Sequence, residues 1–567
     1  MEGGQHEEGE PRNNEIAEPV KSHRPFAGLQ PLPIDRRQAI SSIAGGLTFS
    51  GASWRAWAQT GIRVISSPDD LNRTYDYVIV GAGSAGCVVA HRLGQAGRSV
   101  LIIEAGAPAT LPAISVPPDW PQLEGSSADW RYVTVPQRHL GGRIIPYPRG
   151  KVVGGSSAIN ALAYQRGHRA AFDRWPQGWR FADLLPYFKR AETFSGGADE
   201  WRGGDGPLHV LSLADVEDRN PLASAFITAA QSLGFHMTKD IGGENPVGVG
   251  WNQLTIKGHV RDDAATAYLS RLTNVKVDLL VGTEVQKLRV ENGRCRGVQL
   301  VNRIIRPNIE TLLCAGAVDS PRILMLSGIG PADHISSFGI GVVVDLPEVG
   351  NHLEDHLLLA GVAYSARQEV PRSHYNHADA MLYVPNHDPT NSPDLLIMCL
   401  SIPFVLPSVG KLAPPAYVLV PCLMKPRSQG KVRLASADSS TPALIDPNYL
   451  QDSHDRDVLV EGIRLAREIG STAAMAEWRA GEVYPGPESV GLDDLHTFIS
   501  RAANSFHHPV GTCRIGNVVD DNLNVKGVAG LRVVDASVMP GIPQAVINAA
   551  TIAIAERASD LILANKG

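Results

Sequence analysis

In the pattern of apolar and polar positions, residues 77–80 form an apolar run that stops at Gly81-x-Gly83-x-x-Gly86. A helical stretch follows, and a second apolar run closes on Glu104. This predicts a strand–turn–helix–strand unit. Further on, residues 275–281 predict a strand, and 285–290 with 296–301 predict paired strands around Glu291-Asn292-Gly293. Residues 322–327 predict a short helix stopped by Gly328, while 380–384, 417–423 and 531–534 read as strands. Val458, Leu459, Ile463, Leu465 and Ile469 predict a helix over 458–469, and 549–563 predicts another. The most apolar region, 395–424, is broken by Pro403, Pro407, Pro414, Pro415 and Pro421, so buried strands are expected there. Strand-like and helix-like stretches alternate without an internal repeat, which makes the chain α/β with a Rossmann-like domain.

The first turn carries chemistry. Gly81 allows a tight turn, Gly83 leaves room for a pyrophosphate against the backbone, and Gly86 lets the helix pack closely on the strand. Ser84 and Ala85 open that helix, whose free N–H groups face a phosphate. Glu104, followed by Ala105, can accept hydrogen bonds from the hydroxyls of an adenosine ribose. A second such fingerprint, expected if a nicotinamide cofactor had its own domain, is absent from the sequence.

At 567 residues the chain requires two or more domains. A net charge of −6 without a basic block gives no reason to expect nucleic acid. Cys87, Cys295, Cys314, Cys399, Cys422 and Cys513 are scattered, which suits neither a disulfide framework nor a zinc site, and no metal is expected. No apolar run is long enough for a spanning helix. Residues 1–35 read as a disordered leader. Over residues 36–58, Arg36-Arg37 precede a weakly apolar stretch and Ala56-Trp57-Ala58, an order that resembles a twin-arginine export signal. Export would place the protein in the periplasm; a leader with a chance arginine pair would leave it cytoplasmic.

Four ordered blocks carry a resemblance. After the fingerprint come Pro148-Arg149-Gly150-Lys151 with Gly154-Gly155-Ser156-Ser157-Ala158-Ile159-Asn160. Then come Gly316-Ala317-Val318-Asp319-Ser320-Pro321 with Leu326-Ser327-Gly328-Ile329-Gly330-Pro331. The last is His508-Pro509-Val510-Gly511-Thr512-Cys513-Arg514, followed by 533–540 and Asn548. Asp355-His356 is a smaller echo. Together these resemble the glucose–methanol–choline (GMC) oxidoreductases, flavoproteins that oxidise alcohols, and in particular their choline dehydrogenase branch.

The resemblance implies an FAD-binding domain assembled from 74–165, 255–330 and 505–567, and a substrate domain with an antiparallel sheet from 166–254 and 331–504. It places FAD against Gly81, Gly83, Ser84, Ala85, Gly86, Glu104, Ala105, Gly154, Gly155, Ser156, Ser157 and Asn160. It adds Val285, in a strand, at the adenine, Asp535 and Ala536 near the ribityl–phosphate region, and Ala549 at the start of the last helix. Ile159 stands where some relatives carry a flavin-linking histidine, so the FAD is expected to be non-covalent. His508 takes the catalytic position as base for the substrate hydroxyl, and Asn548 holds the substrate oxygen. In an extended segment, His507 would point away from His508.

The implied reaction is oxidation of an aliphatic or aromatic primary alcohol to a carbonyl by hydride transfer to flavin N5. A dehydrogenase is favoured over an oxidase, with the acceptor open among quinone, cytochrome and oxygen. The other readings are a flavin-containing lyase that cleaves cyanohydrins and a flavin-binding protein without catalysis.

Overall fold

The computed structural model describes residues 61–71, 73–384 and 392–564; the leader and the twin-arginine-like segment lie outside the described residues. One sheet is wholly parallel. Its strands run in the order Arg63–Ile65, Val277–Leu280, Val100–Ile103, Tyr75–Val80, Pro307–Leu313 and Leu531–Val533. The chain leaves Tyr75–Val80 through helix Ser84–Gln95 to reach Val100–Ile103 on one side, and Pro307–Leu313 flanks the other. The carboxyl ends of Tyr75–Val80 and Pro307–Leu313 therefore form a switch point, where an open α/β sheet leaves a crevice for a ligand.

The predicted hairpin is present as Lys287–Glu291 and Arg294–Gln299. Asn292 (φ 52°) and Gly293 (φ 71°) turn it in the left-handed region that a two-residue hairpin loop requires. The predicted helix over 322–327 begins earlier and spans Gly316–Leu326, with Pro321 inside it. Pro321 has no N–H to give the Ala317 carbonyl. The Thr512 hydroxyl takes over that role, donating to Ala317 O at 2.7 Å.

The second sheet has eight antiparallel strands. Its main order is Arg479–Tyr484, Val362–Ala366, Ala416–Leu423, Leu395–Leu400, Ala380–Val384 and Gly248–Trp251. Leu357–Leu359 joins it between Ala416–Leu423 and Ala503–Ser505. The apolar region read as buried strands supplies the centre, with Leu395–Leu400 and Ala416–Leu423 buried along their whole length. Pro421 is tolerated in the middle because it opposes the break between Leu357–Leu359 and Val362–Ala366, where no ladder bond is lost.

The expected domain limits need two changes. Strand Arg63–Ile65 extends the parallel sheet to a point before residue 74. Phe172, Trp175, Trp179, Leu184 and Phe188 belong to the core of the parallel-sheet domain rather than to the substrate half. The reason is helix Phe181–Ala191, whose apolar face lies on the last helix, Asn548–Ala564. Among the described residues no helix is long and apolar enough to cross a membrane.

Glu556 ties these helices together. Its buried carboxylate accepts from Arg92 Nε (2.7 Å) on the fingerprint helix, Arg190 Nε (2.8 Å) and the Tyr268 hydroxyl (2.9 Å). Removing the carboxylate takes the charged partner from Arg92 and the acceptor from the buried Tyr268 hydroxyl, while Arg190 keeps Asp560. Glu556→Ala is expected to lower the unfolding free energy by about 3 kcal/mol, read from urea denaturation of the holoenzyme; a change under about 0.5 kcal/mol, the range of ordinary surface substitutions, would show that the clamp is dispensable.

Candidate active site

A cavity of about 330 Å³ runs from the switch point to the antiparallel sheet. Its floor is backbone. A Cβ on Gly86 would stand 2.0 Å from Gly81 O, so the helix can approach the strand only with glycine there. Gly155 (φ +54°) is pressed against the fingerprint turn, and a Cβ on it would lie 2.6 Å from Gly83 Cα. Gly83 itself faces open space, with Gly155 Cα at 3.9 Å the nearest atom to a Cβ. A pyrophosphate fits this cradle of two glycine turns at the start of helix Ser84–Gln95. Glu104 sits beside it and accepts the N–H groups of Ala82 and Gly106, both at 2.8 Å. Burial raises its pKa to about 7 against those two bonds. The residues fit a flavin dinucleotide.

At the other end stand His507 and His508. His508 N–H donates to Asp355 Oδ1 at 2.7 Å. The same carboxylate accepts the hydroxyls of Tyr449 (2.5 Å) and Ser505 (2.6 Å) on Oδ2. His356 then sets the ring of His508. Its Nε2 lies 3.1 Å from Met424 O, which can only accept, so Nε2 carries the proton. In the neutral ring Nδ1 is therefore a lone pair, and it accepts from His508 Nδ1–H at 3.0 Å. That leaves His508 Nε2 unprotonated on the cavity wall. Burial holds His356 neutral, with its pKa lowered to about 3. Burial, His356, His507 and Arg149 hold His508 well below the usual imidazole range.

The expectation that His507 points away from His508 assumed extended backbone, and both residues line the cavity. The segment is not extended at this point: His507 has φ +66°, held by Ser505 Oγ on its N–H (2.8 Å) and by Arg149 Nη2 on its carbonyl (2.6 Å). Alternation of side chains does not survive a left-handed residue. Asn548 reaches the cavity as the first residue of the last helix, and its Oδ1 accepts from Ser84 Oγ at 2.7 Å. Its amide N–H groups are left for a ligand.

The sequence profiles of the GMC oxidoreductase family match residues 75–358 with the N-terminal part and 426–555 with the C-terminal part. The chain is a GMC oxidoreductase. Pyridoxine 4-oxidase of Microbacterium luteolum is 36% identical over 500 residues, 85% of this chain and 98% of its own. The oxygen-dependent choline dehydrogenase of Sinorhizobium fredii is 36% identical over 530 residues, 86% of this chain and 95% of its own. Among solved structures, pyridoxine 4-oxidase from Mesorbium loti superposes with a TM-score of 0.84 at 36% identity, covering 87% of this chain and all of that one. Formate oxidase of Aspergillus oryzae gives 0.79 at 26% identity, covering 87% of this chain and 99% of its own. This GMC oxidoreductase is an FAD-dependent enzyme acting on CH–OH groups.

Most residues expected at the cofactor line the cavity: Gly81, Gly83, Ser84, Ala85, Glu104, Ala105, Gly155, Ser156, Asn160, Val285, Asp535 and Ala536. Four do not, for packing reasons. Gly86 is pressed on Gly81, Gly154 turns at φ +98° with its N–H on Ala82 O, Ser157 accepts the Ala264 N–H, and Ala549 faces the helix core. Val285 is not in a strand but in the loop before Lys287–Glu291. Asp535 acts mainly on the scaffold: its Oδ2 accepts from Gly316 N–H and Ser320 Oγ, and its Oδ1 from Ser537 N–H. Arg149 and His356 gain their roles only in the fold, although both lie in the motifs Pro148-Arg149-Gly150-Lys151 and Asp355-His356.

Because Gly83 faces open space, Gly83→Val is expected to fold but to lose FAD, its side chain filling the pyrophosphate's place. Circular dichroism and the flavin spectrum check this; a variant purified with full flavin would show that the turn has been misread.

Proposed function

We propose that this enzyme oxidises primary alcohols, with His508 as the base that takes the hydroxyl proton. The observation that carries the reading is the chain Met424 O, His356, His508, which leaves the Nε2 lone pair of His508 facing the cavity. Bound FAD supplies the hydride acceptor at N5. The protein orients the alcohol, excludes water and receives the proton at His508 Nε2, while Asn548 donates to the substrate oxygen. A low pKa keeps His508 in its basic form.

The substrate end of the cavity supports a small apolar or aromatic alcohol. Leu358, Met381, Leu396, Met398, Phe404 and Phe506 line it. Gln165, whose Nε2 donates to Asn252 Oδ1 at 2.6 Å, keeps its Oε1 unpartnered for one polar substituent. The names of the relatives, an oxidase and an oxygen-dependent dehydrogenase, favour oxygen among the acceptors. The preference for a dehydrogenase rested on export. Rapid reoxidation of the reduced enzyme in aerated buffer supports oxygen, and reoxidation by dye alone opposes it. The FAD is proposed to be non-covalent, since Ile159 on the cavity wall cannot bond to it; acid precipitation should release all the flavin, and retained flavin would refute this. Periplasmic export is proposed from Arg36-Arg37, and a mature protein beginning at Met1 in its native host would oppose it.

His508→Ala is expected to slow flavin reduction about 10²–10⁴-fold in stopped flow while FAD still binds. His507→Ala should cost much less, and Asn548→Ala should fall between. A larger loss at His507 than at His508 would assign the base to the wrong neighbour. The rate has a distinct pH dependence. A base whose pKa is lowered is active above that pKa and fails only as pH falls through it. The limiting rate should therefore stay level from pH 8 to pH 6. An ordinary imidazole would lose about three-quarters of its basic form by pH 6, and a fall of that size would rule out the lowered pKa.

A further inference from the structure

Arg149 is a half-buried cation that forms no ion pair among the described residues. Its Nε donates to Pro148 O at 2.5 Å and its Nη2 to His507 O at 2.6 Å, both neutral carbonyls. The two carboxylates that act on it, Asp355 and Asp129, do so without forming an ion pair, and both are engaged elsewhere. Asp355 serves Tyr449, Ser505 and the His508 N–H. Asp129 accepts the backbone N–H groups of Gly125, Arg131 and Arg149. The remaining nitrogen, Nη1, makes no hydrogen bond among the described residues, and Arg149 lines the cavity. A half-buried charge of this kind is unfavourable unless something of opposite sign meets it.

The reaction supplies such a charge at this place. The hydroxyl proton moves to His508, and the hydride carries the C–H electron pair to the flavin. The substrate leaves as a neutral carbonyl, and the reduced ring system holds one negative charge. We propose that Arg149 is the counter-charge for the anion that two-electron reduction forms beside His508. The inference rests on FAD occupying this cavity. A ligand that is itself an anion, such as a carboxylated substrate, would meet the same guanidinium, so the test separates the two sources.

Sulfite tests the first source without any alcohol. It adds to oxidised flavin and leaves the ring with a negative charge, which bleaches the visible absorbance. Wild-type holoenzyme, Arg149→Met and Arg149→Lys are titrated with sulfite. Arg149→Met is expected to raise the sulfite Kd about 10- to 100-fold, the range of a hydrogen bond to a charged group. Arg149→Lys should recover most of the affinity, because it keeps the charge. A purely structural role would weaken both variants alike and would overturn the proposal. So would an unchanged Kd in Arg149→Met, or a wild-type enzyme that binds sulfite no better than free FAD does. Acetate inhibition against a neutral alcohol is the second arm. Acetate inhibition lost in Arg149→Met, with sulfite affinity unchanged, would assign the charge to a substrate anion and overturn the flavin version. Arg149→Gln takes the place of Arg149→Met if the latter yields no soluble holoenzyme. A wild-type protein without a flavin spectrum would sink the FAD reading itself.

Discussion

The site depends on two adjacent residues gripping a third from two sides. Asp355 takes the backbone N–H of His508, and His356 takes its ring Nδ1–H. The carboxylate fixes where the residue stands, and the imidazole fixes which nitrogen is free. Neither would suffice alone: a ring held only at its backbone could rotate, and a ring held only at Nδ1 could drift with its loop. The carboxylate is itself saturated by two hydroxyls, so it behaves as a rigid fixture. Because Leu357–Leu359 follows directly and pairs with both Ala416–Leu423 and Ala503–Ser505, the grip is mounted on the antiparallel sheet.

The two halves of the cavity are built by different physics. On the dinucleotide side, backbone meets backbone, and at Gly86 and Gly155 the absence of a side chain is what allows contact. On the alcohol side, side chains define the space, with Met381, Met398, Phe404 and Phe506 standing on strands or loops of the second sheet. A backbone cradle tolerates little substitution, whereas a side-chain wall can be recut without moving the sheet. That difference matches a family in which pyridoxine 4-oxidase, choline dehydrogenase and formate oxidase carry three different substrate names on one fold.

The same difference explains what could be read from the chain. The fingerprint turn, the Asn292-Gly293 hairpin and the buried strands near 395–424 were legible because glycine position and apolar runs are local signals. The side on which His507 lies was not. Period-two reasoning assumes extended backbone, and the left-handed turn at His507 is held by Ser505, two residues before it, and by Arg149, which is distant in sequence. The membership of residues 172–188 in the parallel-sheet core was hidden for a similar reason. Their aromatic side chains mark a core, but nothing local says that the core is completed by a helix starting at Asn548. Asn548 was recognised from its motif, yet its bond to Ser84, 464 positions earlier, is a product of the fold alone.

That long reach has a consequence for synthesis. The cradle opens at residue 81, its second turn arrives near residue 155, the histidine loop near 508, and the last wall with the helix from Asn548. A ribosome must therefore translate nearly the whole chain before a cofactor could find all four sides of its chamber. Until then the early Rossmann segment waits with an apolar crevice uncovered, and Glu556 has not yet arrived to lock Arg92 and Arg190. A chain that stops after the fingerprint but short of its final helix carries the nucleotide-binding signature and lacks the last wall of the chamber.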